Sequence, residues 1–188
     1  PAQQIGPKTA KNNEIPQILF LGQLIKGKGG DMFIDMLTKL KLPYRAKIVG
    51  DGNQRPELER LAAAAKLDHL EFIRWTNTPE ELFAGADIAV LPFRWQEPFG
   101  LVGIEALANG TALAGFDIGG VGEYLIDNET GFLVRHGDVD LLAAKVDCLL
   151  ADPALRQRFG DRGRELIEGE FSVELFVKKM KELFSCVC

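Results

Sequence analysis

Residues 18–30 read ILFLGQLIKGKGG. An apolar run, Ile18 to Leu21, stops at Gly22 and is followed by a loop holding Gly27, Lys28, Gly29 and Gly30. Beyond it, Met32, Phe33, Met36, Leu37 and Leu40 recur on one helical face. Strand, glycine-rich loop and amphipathic helix in this order form the opening unit of a parallel α/β sheet. Gly22, four residues, then Gly27-Lys28 also begins the phosphate loop G-x-x-x-x-G-K-[ST]. That loop needs a hydroxyl after the lysine to hold Mg²⁺, and Gly29 has none. The dinucleotide pattern G-x-G-x-x-G fails as well, because Met32 stands where the third glycine belongs. What survives is a lysine and free amides at a helix N-terminus, which suit an anion. A plain tight turn with a solvated lysine fits the same letters equally well.

Working outward, five more short apolar runs follow: Ala46–Val49, Leu70–Ile73, Ile88–Leu91, Ala112–Phe116 and Phe132–Val134. Amphipathic segments separate them; in one, Leu58, Leu61, Ala62 and Ala65 share a face. Helix starts are marked by Thr78-Pro79-Glu80-Glu81, a capping box with proline at the first helical position, and by Asp152-Pro153. The alternation predicts a single doubly wound, Rossmann-like α/β domain with a parallel sheet of about six strands. After Val134 the pattern becomes helical only, at about 138–151, 153–168 and 172–184. Residues 1–16 read as a polar tail or linker and 17–188 as the domain. Ligands in such sheets bind beyond the carboxyl ends of the strands.

The 188 residues are 46% hydrophobic, enough for one sizeable core, and carry a net charge of −5, which argues against a nucleic-acid partner. No apolar run approaches the length of about 18 residues that spans a bilayer. The N-terminal segment has no secretory apolar core. The three cysteines, Cys148, Cys186 and Cys188, form no framework and fit a reducing, cytoplasmic setting. His69 and His136 read as ordinary surface residues.

A second strand-to-helix joint, EPFGLVGIEALANG, covers residues 97–110 after the run DIAVLPF. Glu97 lies in the loop, Pro98-Phe99-Gly100 makes the turn, and the helix then presents free amides at Gly100 and Leu101. Glu105 follows eight residues after Glu97. One carboxylate can accept both hydroxyls of a cis-diol and another can orient a sugar hydroxyl, while amides between them hold a phosphate. Either glutamate alone reads equally well as a solvated surface residue.

Glu97-x7-Glu105 resembles the signature of retaining GT-B glycosyltransferases, family 4 in particular. The stretches ILFLGQLIKGKGG, KIVGDG, TPEELFAGADIAVLPF, ALANGTALAGFDIGGVGEYLIDNETGFLV and GDVDLLAAKVDCLLADPALRQRFG are similar to that family in order and spacing, over about residues 17–184. The resemblance implies one half of a GT-B fold, the C-terminal domain that binds a nucleotide diphosphate sugar, UDP- or GDP-linked. It implies no metal and no cofactor, since side chains and amides neutralise the leaving diphosphate. Gly22, Gln23 and Lys28 fall on the family's G-R-L-x-x-x-K-G loop, with Lys28 on the diphosphate. Glu97 would meet the transferred sugar and Glu105 the ribose, with Phe99, Gly100 and Leu101 near sugar and phosphate. Arg74, Trp75 and Thr76 would lie near the base; Trp75 stacks on it or is a packed surface tryptophan. Lys28 and Glu97 would carry the catalytic contribution.

Two positions depart from the family pattern. Gln23 replaces its arginine, leaving Lys26 or Arg94 as candidate substitutes, and Phe93 replaces a small residue and is expected to reshape the pocket rim. Asp138-x-Asp140 reads as a helix cap. The acceptor-binding N-terminal domain is missing from the expected two, so this chain alone is expected to bind donor and turn over slowly or not at all. In the last helix Phe176, Val177, Met180, Leu183 and Phe184 lie opposite Lys178, Lys179 and Lys181. That stripe is expected to dock on the missing domain, with peripheral membrane contact, made only through the full-length protein, as the rival reading. Rival functions are a sugar-nucleotide epimerase of the same fold and a non-catalytic nucleotide-sugar-binding module.

Overall fold

Each of the six apolar runs forms a strand: β1 Gln17–Leu21, β2 Arg45–Val49, β3 Leu70–Ile73, β4 Ile88–Leu91, β5 Ala112–Asp117 and β6 Gly131–Arg135. The structure is a computed structural model that describes residues 14–75 and 79–185. The strands pair in parallel in the order β3-β2-β1-β4-β5-β6. Ile18 of β1 sits between Ala46 of β2 and Ile88 of β4. The chain therefore leaves β1 for one side of the sheet, then returns to β1's other edge at β4. This reversal opens a crevice at the carboxyl ends of β1 and β4, the general ligand position of doubly wound sheets.

Among the described residues, seven α-helices accompany the strands: α1 Gly30–Lys39, α2 Arg55–Ala64, α3 Pro79–Gly85, α4 Leu101–Ala108, α5 Val139–Ala151, α6 Pro153–Glu170 and α7 Val173–Ser185. Helices α1, α2 and α5 pack together, and α3 and α6 pack on α4. With both faces covered, the central strands are apolar throughout rather than alternating; β4 is buried at all four positions. The expected face of α1 is buried at Phe33, Met36 and Leu37, with Ile34 added. In α2, Leu58 and Ala62 are buried, whereas Ala65 lies just past the helix end and is exposed, so the stripe is one residue shorter than expected.

Capping follows the sequence signals where they are described. The Asp138 carboxylate accepts the Leu141 N–H at 3.1 Å and Asp152 that of Leu155 at 3.0 Å, with Pro153 in the first helical turn. Thr78 of the expected capping box lies outside the described residues. Asp140, the second carboxylate of the D-x-D letters, pairs with Lys39 at 2.7 Å. Both histidines are exposed, each edge-on to an aromatic ring, His69 to Tyr44 and His136 to Phe116. No helix among the described residues is long and apolar enough to cross a membrane.

Candidate functional site

The loop after β1 answers why a glycine stands where a phosphate loop has Ser or Thr. Residues 26–28 form one 3₁₀ turn, and Gly29 then adopts φ 74°, ψ 28° to start α1. This left-handed geometry disfavours a β-carbon. A β-carbon at Gly29 would also run into the carbonyl of Pro92, at the end of β4. The loop after β1 and the residue that follows β4 touch at this point, and only glycine fits between them. The Lys28 side chain is thereby aimed across the gap between β1 and β4.

Its partner comes from the other side of that gap. The Lys28 Nζ donates to Oε2 of Glu97, 69 residues away, and both side chains are largely buried. The ammonium also lies 5.0 Å from the centre of the Phe93 ring, within the range of a cation–π contact. Phe93 is buried, so it forms the floor beneath Lys28 rather than the rim that its position after the strand-end Pro92 led us to expect.

Leu21, Gly22, Gln23, Lys28, Trp75, Phe93, Glu97, Pro98, Phe99, Gly100, Leu101 and Val102 line one open crevice of about 420 Å³. Of the residues singled out from the sequence, Gly22, Gln23, Lys28, Trp75, Glu97, Phe99, Gly100 and Leu101 thus meet in one place. Thr76 lies outside the described residues. Glu105 is not on the crevice wall. It lies half-buried one turn along α4 from Leu101 and Val102 and on their side of the helix. Trp75 is 54% exposed, and its backbone N–H donates to Asp51 Oδ2 at 3.0 Å. Arg74 is exposed and does not line the crevice.

The start of α4 supplies the polar end of the crevice. Gly100 is its N-cap, at φ 78°, ψ 62°. The first N–H groups of a helix have no acceptor within it, and here those of Leu101 and Val102 belong to lining residues. They bring the positive end of the helix dipole beside Lys28.

Of the two candidate substitutes for the missing arginine charge, Arg94 is held in a two-pronged pair with Asp31, Nε to Oδ1 at 3.1 Å and Nη2 to Oδ2 at 2.5 Å. Lys26 is exposed, and neither residue lines the crevice. The ring of Trp95, which sequence reading passed over, lies directly on Gly27, where a β-carbon would collide with it. A second residue that sequence reading missed is Tyr124. Its ring is fully buried behind α4 and its hydroxyl donates to the Gly100 carbonyl at 3.0 Å. Burial, with the Glu97 charge nearby, holds that hydroxyl well above the usual phenol range, so it remains a donor.

Comparison with known proteins places this crevice in a family. The model of the glycosyl transferases group 1 family matches residues 2–166. The chain belongs to that family. It is 28% identical over 173 residues to the lipopolysaccharide core biosynthesis glycosyltransferase LpsE of Rhizobium meliloti, covering 92% of the chain and 50% of the relative. It is 36% identical over 168 residues to the glycogen synthase of Mycobacterium tuberculosis, covering 82% and 39%. Among solved structures, the sucrose-phosphate synthase of Thermosynechococcus elongatus superposes with a TM-score of 0.85 at 29% identity, covering 93% of the chain and 46% of that one. Anabaena HepE, solved with UDP and glucose, superposes with a TM-score of 0.86 at 22% identity, covering 92% and 48%. This group 1 glycosyltransferase chain therefore spans half or less of the length of the relatives it matches. Its sheet and flanking helices are those of the C-terminal domain of a GT-B glycosyltransferase.

Proposed function

We propose that this domain binds the nucleotide diphosphate sugar donor of a retaining glycosyltransferase. The observation that carries the reading is the meeting of Lys28 and Glu97 at the N-terminal end of α4, from loops 69 residues apart. Such a site offers a mobile cation and helix amides to a diphosphate, and a carboxylate to a neighbouring hydroxyl. On donor entry the diphosphate takes Lys28 from Glu97. The released carboxylate then accepts a hydroxyl of the transferred sugar. Glu105, one turn further along α4, is assigned to the ribose and Trp75 to the base. When the bond between the anomeric carbon and the diphosphate oxygen breaks, negative charge develops on that oxygen, and Lys28 with the Leu101 and Val102 amides stabilises it. No metal is needed in this scheme. HepE, with its UDP and glucose, supports UDP as the first nucleotide to test, with GDP next. Acceptor binding and full turnover are assigned to a second, N-terminal domain.

A non-catalytic donor-binding module is the second reading, and Gln23 favours it. An uncharged side chain lines the crevice where the resemblance expects arginine, and Arg94 is held by Asp31. Turnover of UDP-sugar by the full-length protein separates the two readings.

The direct test is calorimetric titration with UDP, GDP, ADP and dTDP, repeated on Lys28→Ala. One charged hydrogen bond to phosphate contributes roughly 1.5–3 kcal/mol, so the variant should weaken the diphosphates about ten- to a hundredfold and leave the bare nucleosides unchanged. Equal loss for nucleoside and diphosphate, or no diphosphate binding by the native chain, would overturn the assignment.

A further inference from the structure

The segment that forms the polar end of the crevice, Glu97 to Val102, is held at its start by the Gly120 N–H, which donates to the Glu97 carbonyl at 2.9 Å, and at Phe99 by the Phe171 ring. Its turn into α4 at Gly100 is supported from behind by a buried ring. Tyr124 is fully buried, between the start of α4 and the core. Two glycines make the slot it occupies. A β-carbon at Gly103 would collide with the ring, and one at Gly100 would lie 2.6 Å from the hydroxyl. Phe99 packs edge-on to the ring at 5.8 Å. The hydroxyl is the ring's one polar atom and it meets the Gly100 carbonyl. That carbonyl also accepts the Gly103 N–H at 2.8 Å, so both of its lone pairs are used. The backbone of Tyr124 is itself anchored, its carbonyl accepting the buried Thr130 hydroxyl at 2.8 Å, which in turn accepts the Ile126 N–H. The same Gly100 β-carbon position lies 3.3 Å from Glu97 Cγ and from the Phe93 ring. Gly100 is therefore the point where the tyrosine, the carboxylate loop and the crevice floor meet.

Resting on the donor-binding reading, we propose that Tyr124 is a positioning residue for that site. Its hydroxyl holds Gly100 in the left-handed conformation, and this aims the Leu101 and Val102 amides into the crevice and keeps Glu97 opposite Lys28. The hydroxyl touches no part of the crevice surface and acts only through Gly100. Without it the carbonyl keeps only the Gly103 bond, and the turn from Glu97 into α4 samples other conformations before a diphosphate can order it.

Tyr124→Phe, which keeps the ring and removes the donor, is the test, with hydrogen exchange and UDP titration read on the same samples. A lost hydrogen bond of ordinary strength predicts about five- to tenfold faster exchange, confined to the amides of residues 99–104. UDP affinity should fall by a similar factor while uridine affinity holds. Gly103→Ala approaches the slot from the other side. Alanine favours a helix more than glycine does, so a general helix effect would slow exchange in α4. Displacement of the ring predicts the opposite, faster exchange and weaker UDP binding. Unchanged exchange at 99–104 in Tyr124→Phe, or faster exchange spread evenly over the sheet, overturns the positioning role. Faster local exchange with unaltered UDP affinity overturns the link from Tyr124 to the site and leaves the donor reading standing. Failure of the native chain to bind any nucleoside diphosphate removes the donor reading and the link with it, while the exchange pattern still decides whether Tyr124 sets the turn.

Discussion

Removing both members of the Lys28–Glu97 pair should cost less than the sum of removing each alone. The Lys28 side chain is 21% exposed and that of Glu97 12%, so the pair lies between a surface ion pair, where coupling is about 0.2–1 kcal/mol, and a buried one, where losing one partner costs about 3–5 kcal/mol. Lys28→Ala strands the less exposed charge. Glu97 then keeps its carboxylate against Phe93 and Gly100, and we expect a loss of about 1.5–2 kcal/mol, interpolated between those limits. Glu97→Gln strands a lysine that still lies over the Phe93 ring and has a long stem to reach water, for about 0.5–1 kcal/mol. In the double variant neither charge is stranded, and the total should fall short of the sum by about 1 kcal/mol. Urea unfolding with a common slope measures all four proteins. For a chain of this size the Lys28→Ala loss corresponds to about 3–8 °C in melting temperature. The coupling should weaken only partly between low and high salt, because the pair is sheltered. Additivity within about 0.3 kcal/mol would refute the reasoning, since two groups that add do not share an interaction.

Three further outcomes are expected. Glu105→Gln should weaken UDP and UDP-sugar alike by calorimetry, whereas Glu97→Gln should weaken only the sugar-bearing form; the reverse pattern would exchange their roles. UDP binding should be unchanged by EDTA, and a Mg²⁺-dependent return of binding would contradict the assignment of charge neutralisation to Lys28 and helix amides. The two tyrosines are both raised, Tyr44 to about 12 by burial and then by Asp147, and Tyr124 further by burial and then by Glu97. Each stays neutral in the folded chain while its unfolded counterpart ionises near pH 10, so stability is retained below pH 10 and lost above it, by about 1.4 kcal/mol per pH unit for each ring. Tyrosinate absorbance should therefore be absent at pH 10.5 in the native chain and appear on unfolding; native titration near pH 10 would show that the rings are not enclosed.

The sheet was legible because parallel strands buried on both faces leave continuous apolar runs, and all six runs became strands. Helix starts at Asp138 and Asp152 were legible because a cap is a local hydrogen bond within three residues. Seven of the crevice residues were reached through two strand-to-helix joints, and Trp75, after β3, through the resemblance. Resemblance supplied their grouping, because neither joint alone separates a ligand loop from a turn. What was not legible lies between loops distant in the chain. Nothing near Phe93 says that its ring lies under a lysine from the first β–α unit. Nothing near Tyr124 says that Gly100 and Gly103 leave room for it, although two glycines three apart in one helix start are the trace of that slot. Of the apolar stripe expected along α7, part is open to solvent. Val177, Leu183 and Phe184 are exposed and Met180 is half-buried, while the side chain of Phe176 lies outside the described residues.

The chain has two tryptophans, and neither is in the core. Trp75 lines the crevice, and Trp95 lies on the loop that carries Lys28, 49% exposed. Indole emission follows the polarity and mobility of the ring's immediate surroundings, so the folded chain should fluoresce almost as red as the unfolded one. Unfolding will then barely move the emission maximum, and tryptophan fluorescence is a poor gauge of whether this domain is folded. The same placement makes it a sensitive gauge of occupancy. A base resting on Trp75 quenches one ring, and a shift of the Lys28 loop alters the other. One optical probe is thus built into the crevice wall and the other onto the Lys28 loop, and a label-free titration reads the site with almost no background from the fold.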